Sequence, residues 1–368
     1  MKLDGIKVVD LSMYLPGPHL TLMMADHGAE VIRVEPPGGE PSRNYGPFQG
    51  GHSVWFRNTH RGKKSICLNL KDKREREILF EICKTADIFV EAFRPGVVKR
   101  LGVDYEAISK INSKIIYCSV SAFGQSGPLS KKATHDMGAQ ALTGFLAIND
   151  NGNGHPVVPG LPGADLGSSM TALAGILMAL YRRTITKRGD YLDATMYDTL
   201  LSWTAHLSGP VFAENKPPKT AEGRSIGGAA FYNIYKTKDD RFIALTGREI
   251  KFANSLLSAL DRPDLVELCK IDDCLAQKPV REYLDITFAT KTQKEWEEFL
   301  EPLELGWAPV LNMDEAFKKD HAIERNMIIE EDNGIKHVGN PIVFSEEKAK
   351  ISFDVPDLNE HYDEILKK

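Results

Sequence analysis

The chain has 368 residues, 42% apolar and 26% charged, with a formal net charge of -5. These values exclude a disordered chain, a collagen-like repeat and a disulfide scaffold, and the acidic balance argues against a nucleic-acid-binding surface while leaving room for local phosphate pockets. The length exceeds one ordinary core and predicts a large domain with a smaller companion.

Taken in chain order, Gly5 to Leu11 reads as a buried strand, followed by a turn at Pro16, Gly17 and Pro18. Leu20 to His27 is helical and stops at Gly28, and Ala29 to Glu35 is the next strand, completing a βαβ unit. The pattern repeats with a strand at Ser65 to Leu70, a helix at Asp72 to Thr85 and a strand at Ala86 to Glu91. A short helix at Val97 to Gly102 and a strand at Lys114 to Ala122 follow. Asp165 opens the strongest helix signal, which runs to about Arg183 and is apolar nearly all round, so it is expected to be buried. Gly189 to Ala194 reads as a strand and Thr195 to His206 as a helix. The fold class this predicts is α/β: a Rossmann-like, doubly wound parallel sheet.

Residues 1–210 form the expected large domain. The stretch from Gly209 to Gly228, with Pro210, Pro217, Pro218 and Gly223, reads as a loop and marks the boundary. Residues 225–330 form a smaller α+β domain that opens with two strands between Phe231 and Thr246, and residues 335–368 are expected to return to the large domain. The longest apolar stretch, Met170 to Leu180, falls short of the ~20 residues a bilayer span needs. With no apolar signal core after Met1, the expected location is cytoplasmic and no membrane partner is expected. The five cysteines form no Cys-x-x-Cys pair and no zinc pattern, so free thiols and no metal are expected.

The first βα turn reads Leu11-Ser12-Met13-Tyr14-Leu15-Pro16-Gly17-Pro18, not Gly-x-Gly-x-x-Gly, which disfavours a nicotinamide or flavin cofactor and a dehydrogenase. Arg57, His60, Arg61, Lys63 and Lys64 cluster before a strand, and Arg94 and Arg100 flank a short helix. Phosphate binding is one reading of the cluster; a solvated basic surface is the more ordinary one. Phe123-Gly124-Gln125-Ser126-Gly127-Pro128 is either a plain turn or a place where backbone approaches a ligand. Asp165 stands at a helix start, where an anion is stabilised, so it is expected to be ionised. Its commonest role there is an N-cap; a nucleophile or base is the alternative. His135 and Glu249 have ordinary structural readings too.

Together the segments resemble the class III CoA-transferase family of the CaiB/BaiF type. They include Val8-Val9-Asp10-Leu11-Ser12, Ala25 to Glu35, Gly62-Lys63-Lys64-Ser65, Phe93-Arg94-Pro95-Gly96, Ala164-Asp165, Gly227 to Tyr232 and Ala308-Pro309-Val310-Leu311. The resemblance spans nearly the whole chain. It implies an interlocked homodimer, an acyl-CoA thioester as substrate, no tightly bound cofactor beyond the coenzyme A that the substrate carries, and a catalytic Asp165. By position it makes Leu68, Asn69, Lys71, Arg94, Arg100, Thr134 and Asp136 candidate CoA contacts. The active-site residues look most like those of the 2-methylacyl-CoA racemases: His135 precedes Asp136, and Glu249 falls where those enzymes carry a glutamate that orients the histidine. In that chemistry His135 and Asp165 flank the α-carbon as acid and base. Gly138 to Gly144 and Glu35 to Gly39 look like the transferases, in which Asp165 would be a nucleophile. A non-catalytic thioester-binding protein is a third reading, which the intact Asp165 disfavours.

Overall fold

The structure, a computed structural model, describes residues 1–367. It divides into two compact units. The large unit comprises residues 1–143, 160–203 and 317 onward; the small unit comprises 144–159 and 204–316.

The large unit is built on six strands: β1 (Lys7–Asp10), β2 (Glu30–Glu35), β3 (Lys64–Cys67), β4 (Ile88–Glu91), β5 (Ile116–Ser121) and β6 (Asp190–Thr195). Every pairing is parallel, and the spatial order is β3-β2-β1-β4-β5-β6. The strand direction of progress reverses between β1 and β4, the crevice where such sheets bind ligands beyond their carboxyl ends. Successive residues of these Val- and Ile-rich strands point to opposite faces. Val9, Ile32, Val34 and Phe89 pack with Leu79 and Ile82 on one face, whereas Val8, Val31, Ile88 and Val90 pack with Leu20, Met23, Ala172 and Ile176 on the other.

The helices that position the site are α1 (Pro16–Asp26), α2 (Val54–His60), α3 (Lys73–Cys83), α4 (Val97–Leu101), α5 (Tyr105–Ile111), α6 (Asp136–Leu142), α7 (Gly163–Thr186) and α8 (Met196–Trp203). α1 begins on the Pro-Gly-Pro sequence rather than at Leu20, because proline suits the first helical turn. Gly17 is required there: a Cβ would stand 2.1 Å from the Ser12 Cβ. The short helices α2 and α5 escape a periodicity reading; each is one to two turns, capped by Ser53 and Asp104 respectively.

Helix α7 corrects an expectation. It is long and apolar enough to cross a membrane by length and composition alone. One face, with Ala172, Leu173 and Ile176, covers the sheet. The other exposes Met170, Leu177, Met178, Tyr181 and Ile185, so the helix is not buried all round within this chain.

The basic cluster is neither a phosphate patch nor a solvated surface. Arg57, His60, Arg61 and Lys63 are all buried. Arg61 pairs with Asp26 at 3.0 Å and Lys63 with Asp10 at 3.3 Å, while Arg57 donates to Gln49. Only Lys64 stays partly exposed, between Glu30 and Glu364. Acids distant in sequence supply the counter-charges, which local charge counting does not register. The C-terminal segment runs against the same unit: Asn340 donates to Asp26 at 3.2 Å, and Asn359 accepts from the Cys67 amide at 2.8 Å.

In the small unit α9 (Gly209–Glu214) is a helix where the proline content suggests a loop; Pro210 occupies its first turn, where no N–H is needed. β7 (Tyr232–Lys236), β8 (Phe242–Thr246) and β9 (Trp307–Pro309) form an antiparallel sheet in the order β9-β8-β7. α10 (Ile250–Ala259), α11 (Lys278–Phe288) and α12 (Gln293–Leu300) cover it. Its core holds Tyr235, Leu256, Leu284, Phe288, Trp296 and Leu300. The Trp296 indole donates to the Phe288 carbonyl at 2.8 Å and the Tyr235 hydroxyl to the Ala230 carbonyl at 2.6 Å.

Candidate active site

Two adjoining cavities open at the β1/β4 reversal of the large unit. One, of about 440 Å³, is lined by Tyr14, Arg94, Thr134, His135 and Asp165 among others. The second, of about 540 Å³, is lined by Leu68, Asn69 and Lys71. Met13, Phe93 and Val97 belong to both walls. The loops after β1 and β4 therefore supply the shared partition.

The turn after β1 is held from below by buried charges. Glu40 accepts the Tyr14 amide at 2.8 Å and bridges Arg33 at 2.6 Å. Arg33 also donates to the Asp10 carbonyl at 3.1 Å, and Asp10 accepts from the Ser12 amide at 2.9 Å and from Thr21 at 2.6 Å. Tyr14 has a φ of 66°, a left-handed conformation that costs a tyrosine energy and persists only when its surroundings enforce it. Burial pushes the Asp10 carboxyl up, but Lys63 and Arg33 outweigh it and hold it below its usual range; burial lowers the Lys63 amine to about 8.

Asp165 lies three residues past the Pro162 cap of α7. The capping role belongs to another carboxylate. Asp136 accepts the Ala164 amide at 2.7 Å, the Asp165 amide at 3.1 Å and the Gln140 side chain at 2.6 Å. Among the described residues the Asp165 carboxyl makes no hydrogen bond. Burial, with the Asp136 charge beside it, pushes its pKa up to about 7. This corrects the expectation of full ionisation at neutral pH: with Asp136 already on the helix amides, Asp165 faces a like charge instead of bare N–H groups.

His135 precedes the first residue of α6, is exposed, and shares the cavity with Asp165. Its carbonyl accepts the Thr134 hydroxyl at 3.1 Å. Of the candidate CoA contacts, Leu68, Asn69 and Lys71 meet in the second cavity and Arg94 and Thr134 in the first. Arg100 lies on the exposed side of α4. Asp136 has one oxygen on the cap and the other on the Gln140 side chain. Phe123 lines the first cavity at the foot of the turn in which Gly124 and Gly127 adopt positive φ. Glu249 belongs to the small unit, at the start of α10, on a separate cavity. Sequence reading missed Met13, Tyr14 and Glu40; the only signal for Glu40 would have been an acid placed near Arg33.

The open groove at the sheet reversal thus brings a helix-start carboxyl with a raised pKa and a histidine to one cavity, an arrangement able to support acid/base or acyl-transfer chemistry. Residues 3–362 match the model for CoA-transferase family III, and the chain belongs to that family. Acetyl-CoA:oxalate CoA-transferase from Acetobacter aceti is 34% identical over 93% of this chain and 89% of its own. Human succinyl-CoA:glutarate CoA-transferase is 31% identical over 99% and 85%. Human alpha-methylacyl-CoA racemase is 33% identical over 100% and 93%. A CaiB/BaiF family protein from Brucella suis superposes with a TM-score of 0.87 at 25% identity, covering 99% of this chain and 98% of that one.

Proposed function

We propose that this chain interconverts the two epimers of a 2-methylacyl-CoA by passing the α-proton between His135 and Asp165. The observation that carries this reading is one cavity lined by an imidazole and by a carboxyl that has no hydrogen bond and a pKa near 7. In one direction the neutral imidazole removes the α-proton, and the electron pair moves onto the thioester oxygen as an enolate. The Asp165 carboxyl then delivers its own proton to the opposite face. The return direction uses the carboxylate as base and the imidazolium as acid. Both directions need the pair to hold a single proton, and a carboxyl near 7 keeps that state populated at neutral pH.

The thioester's coenzyme A is proposed to occupy the two adjoining cavities, with Leu68, Asn69, Lys71, Arg94 and Thr134 at their walls and Arg100 alongside. Glu249 is proposed to hold the imidazole in one tautomer, supplied by the small domain of a second copy in an interlocked homodimer. The exposed apolar face of α7 supports a dimer.

A second reading has its own support in the unbonded Asp165 carboxyl and in the CoA-transferases among the relatives, which include those from Acetobacter aceti and human. There the Asp165 carboxylate attacks the thioester carbonyl, expels the CoA thiolate and forms a mixed anhydride. The thiolate then attacks the aspartyl carbonyl, which releases the acid and leaves an aspartyl-CoA thioester.

One incubation separates the two. A single-epimer 2-methylacyl-CoA and a panel of free carboxylic acids are mixed with enzyme in heavy water and read by mass spectrometry. Deuterium at the α-carbon without new thioesters is expected, with exchange reduced about 10²–10⁴-fold in His135→Ala. New thioesters without deuterium would sink the epimerase reading. The pH dependence is a further check. Epimerisation gives a bell-shaped kcat/KM, identical in both directions, because each uses the one-proton state. A nucleophilic Asp165 gives loss only on the acid side, as pH falls through about 7.

A further inference from the structure

Glu91, Ser119 and Asp193 stand in register at the carboxyl ends of β4, β5 and β6, so they face the same side of the sheet. None has a place in the chemistry above. The Glu91 carboxyl is buried and accepts the Phe93 amide at 2.8 Å. The Asp193 carboxyl, two strands away, accepts the Gln125 amide at 2.8 Å. Ser119, between them, accepts the Tyr191 hydroxyl at 3.1 Å. The row thus holds two turns, and both build the cavity that contains His135 and Asp165. After β4, Ala92, Phe93, Arg94, Pro95 and Val97 all belong to its wall; after β5, Ala122 and Phe123 do. Phe93 and Val97 face the second cavity as well. Among the described residues the bond from Phe93 to Glu91 is the one hydrogen bond between residues 92–97 and a side chain. The turn's own closure is the Val97 amide donating to the Arg94 carbonyl at 3.1 Å.

We propose that Glu91 is a positioning residue of the thioester site: it fixes the turn that carries Phe93, Arg94 and Val97, and through that turn the partition between the two cavities. The role rests on the functional reading in one respect, that coenzyme A lies along this partition. A buried carboxyl is a strong acceptor with no water to replace it, so the bond to the Phe93 amide holds the turn in one geometry. The turn has little stiffness of its own, because Gly96 sits at a φ of 87°. Without the acceptor, Phe93 and Arg94 lose their fixed place on the wall.

The test measures amide exchange by mass spectrometry in a peptide covering residues 92–101 of the full-length protein, with and without free CoA, and titrates free CoA by calorimetry. Glu91→Met removes the acceptor and nearly keeps the volume; Glu91→Gln keeps the acceptor without the charge. In Glu91→Met, exchange in that peptide is expected to be about tenfold faster and CoA to bind about tenfold more weakly, as for one lost hydrogen bond. Glu91→Gln is expected to restore both. Should Glu91→Met not fold, Glu91→Ala carries the same comparison. A Met variant that matches the wild type in exchange would overturn the proposal, and so would a Gln variant as defective as Met. Protection lost equally in β2 and β3 would overturn it too, since that is general destabilisation. Free CoA that leaves wild-type exchange in the peptide unchanged would remove the CoA placement alone, because the unliganded variants still judge Glu91.

Discussion

The two units are stabilised in different ways. Beneath the first turn of the large unit lie Asp10, Arg33, Glu40 and Lys63, all buried and tied to one another. The small unit's core is hydrocarbon and aromatic, with Phe288 stacked on Tyr235 at 5.1 Å and against Trp296 at 4.7 Å. Apolar packing is non-directional and fills volume; a buried charge network is costly to desolvate and specifies one geometry. The network lies where geometry matters most, under the strained Tyr14 and the Met13 partition between the two cavities. Stability and site geometry are thus coupled in the large unit and separable in the small one.

The largest expected effect breaks the network. Arg33→Met strands the Glu40 carboxylate in the interior and leaves Asp10 with Lys63 as its counter-charge, and should cost about 4 kcal/mol in a denaturant titration. Any protein that survives should also lose CoA-thioester affinity, because Tyr14 is released. Intact affinity in a destabilised Arg33→Met would dissolve the proposed coupling.

Phe288→Ala tests the other side. It should cost about 4 kcal/mol through the cavity it leaves. Faster amide exchange is expected within residues 230–300, with free-CoA affinity unchanged. Protection lost equally in the β1–β5 strands would show that the two cores unfold as one.

A smaller effect sharpens the electrostatic half. Glu91, at the end of β4, accepts the Phe93 amide at 2.8 Å, and burial pushes its carboxyl up from 4.5 to about 7. A raised carboxyl pKa favours the folded state most below pH 4.5, and that contribution is lost as pH rises to about 7. Glu91→Gln keeps the acceptor without the charge, so it should flatten this decline and gain about 2 kcal/mol at pH 8. A variant whose stability still falls between pH 4.5 and 7 would place that titration elsewhere.

The smallest stability change belongs to the exposed side of α7. Met178→Asp should alter monomer stability by no more than about 0.5 kcal/mol. The same variant should halve the mass in sedimentation if that face joins two copies; an unchanged mass would remove α7 from the interface.

Much of the scaffold was legible in the residues themselves. Apolar, mostly β-branched runs separated by helical periods defined β1 to β5, the turn before Gly189 marked β6, and a pattern of matched segments spread over the whole chain identified the family. The two strands between Phe231 and Thr246 were legible too, because strand patterning and turn chemistry are local. What could not be read were properties made by contact between distant segments. The cluster from Arg57 to Lys63 looked like a surface until Asp10 and Asp26 were brought beside it. Asp165 looked like an ionised N-cap until Asp136, twenty-nine residues earlier, took the helix amides. The apolar girth of α7 looked like burial, but the sheet covers only one side. Periodicity, propensity and turn residues act over a few positions and are written in order along the chain. Burial, charge pairing and pKa depend on which remote groups share a volume, and only the tertiary structure decides that.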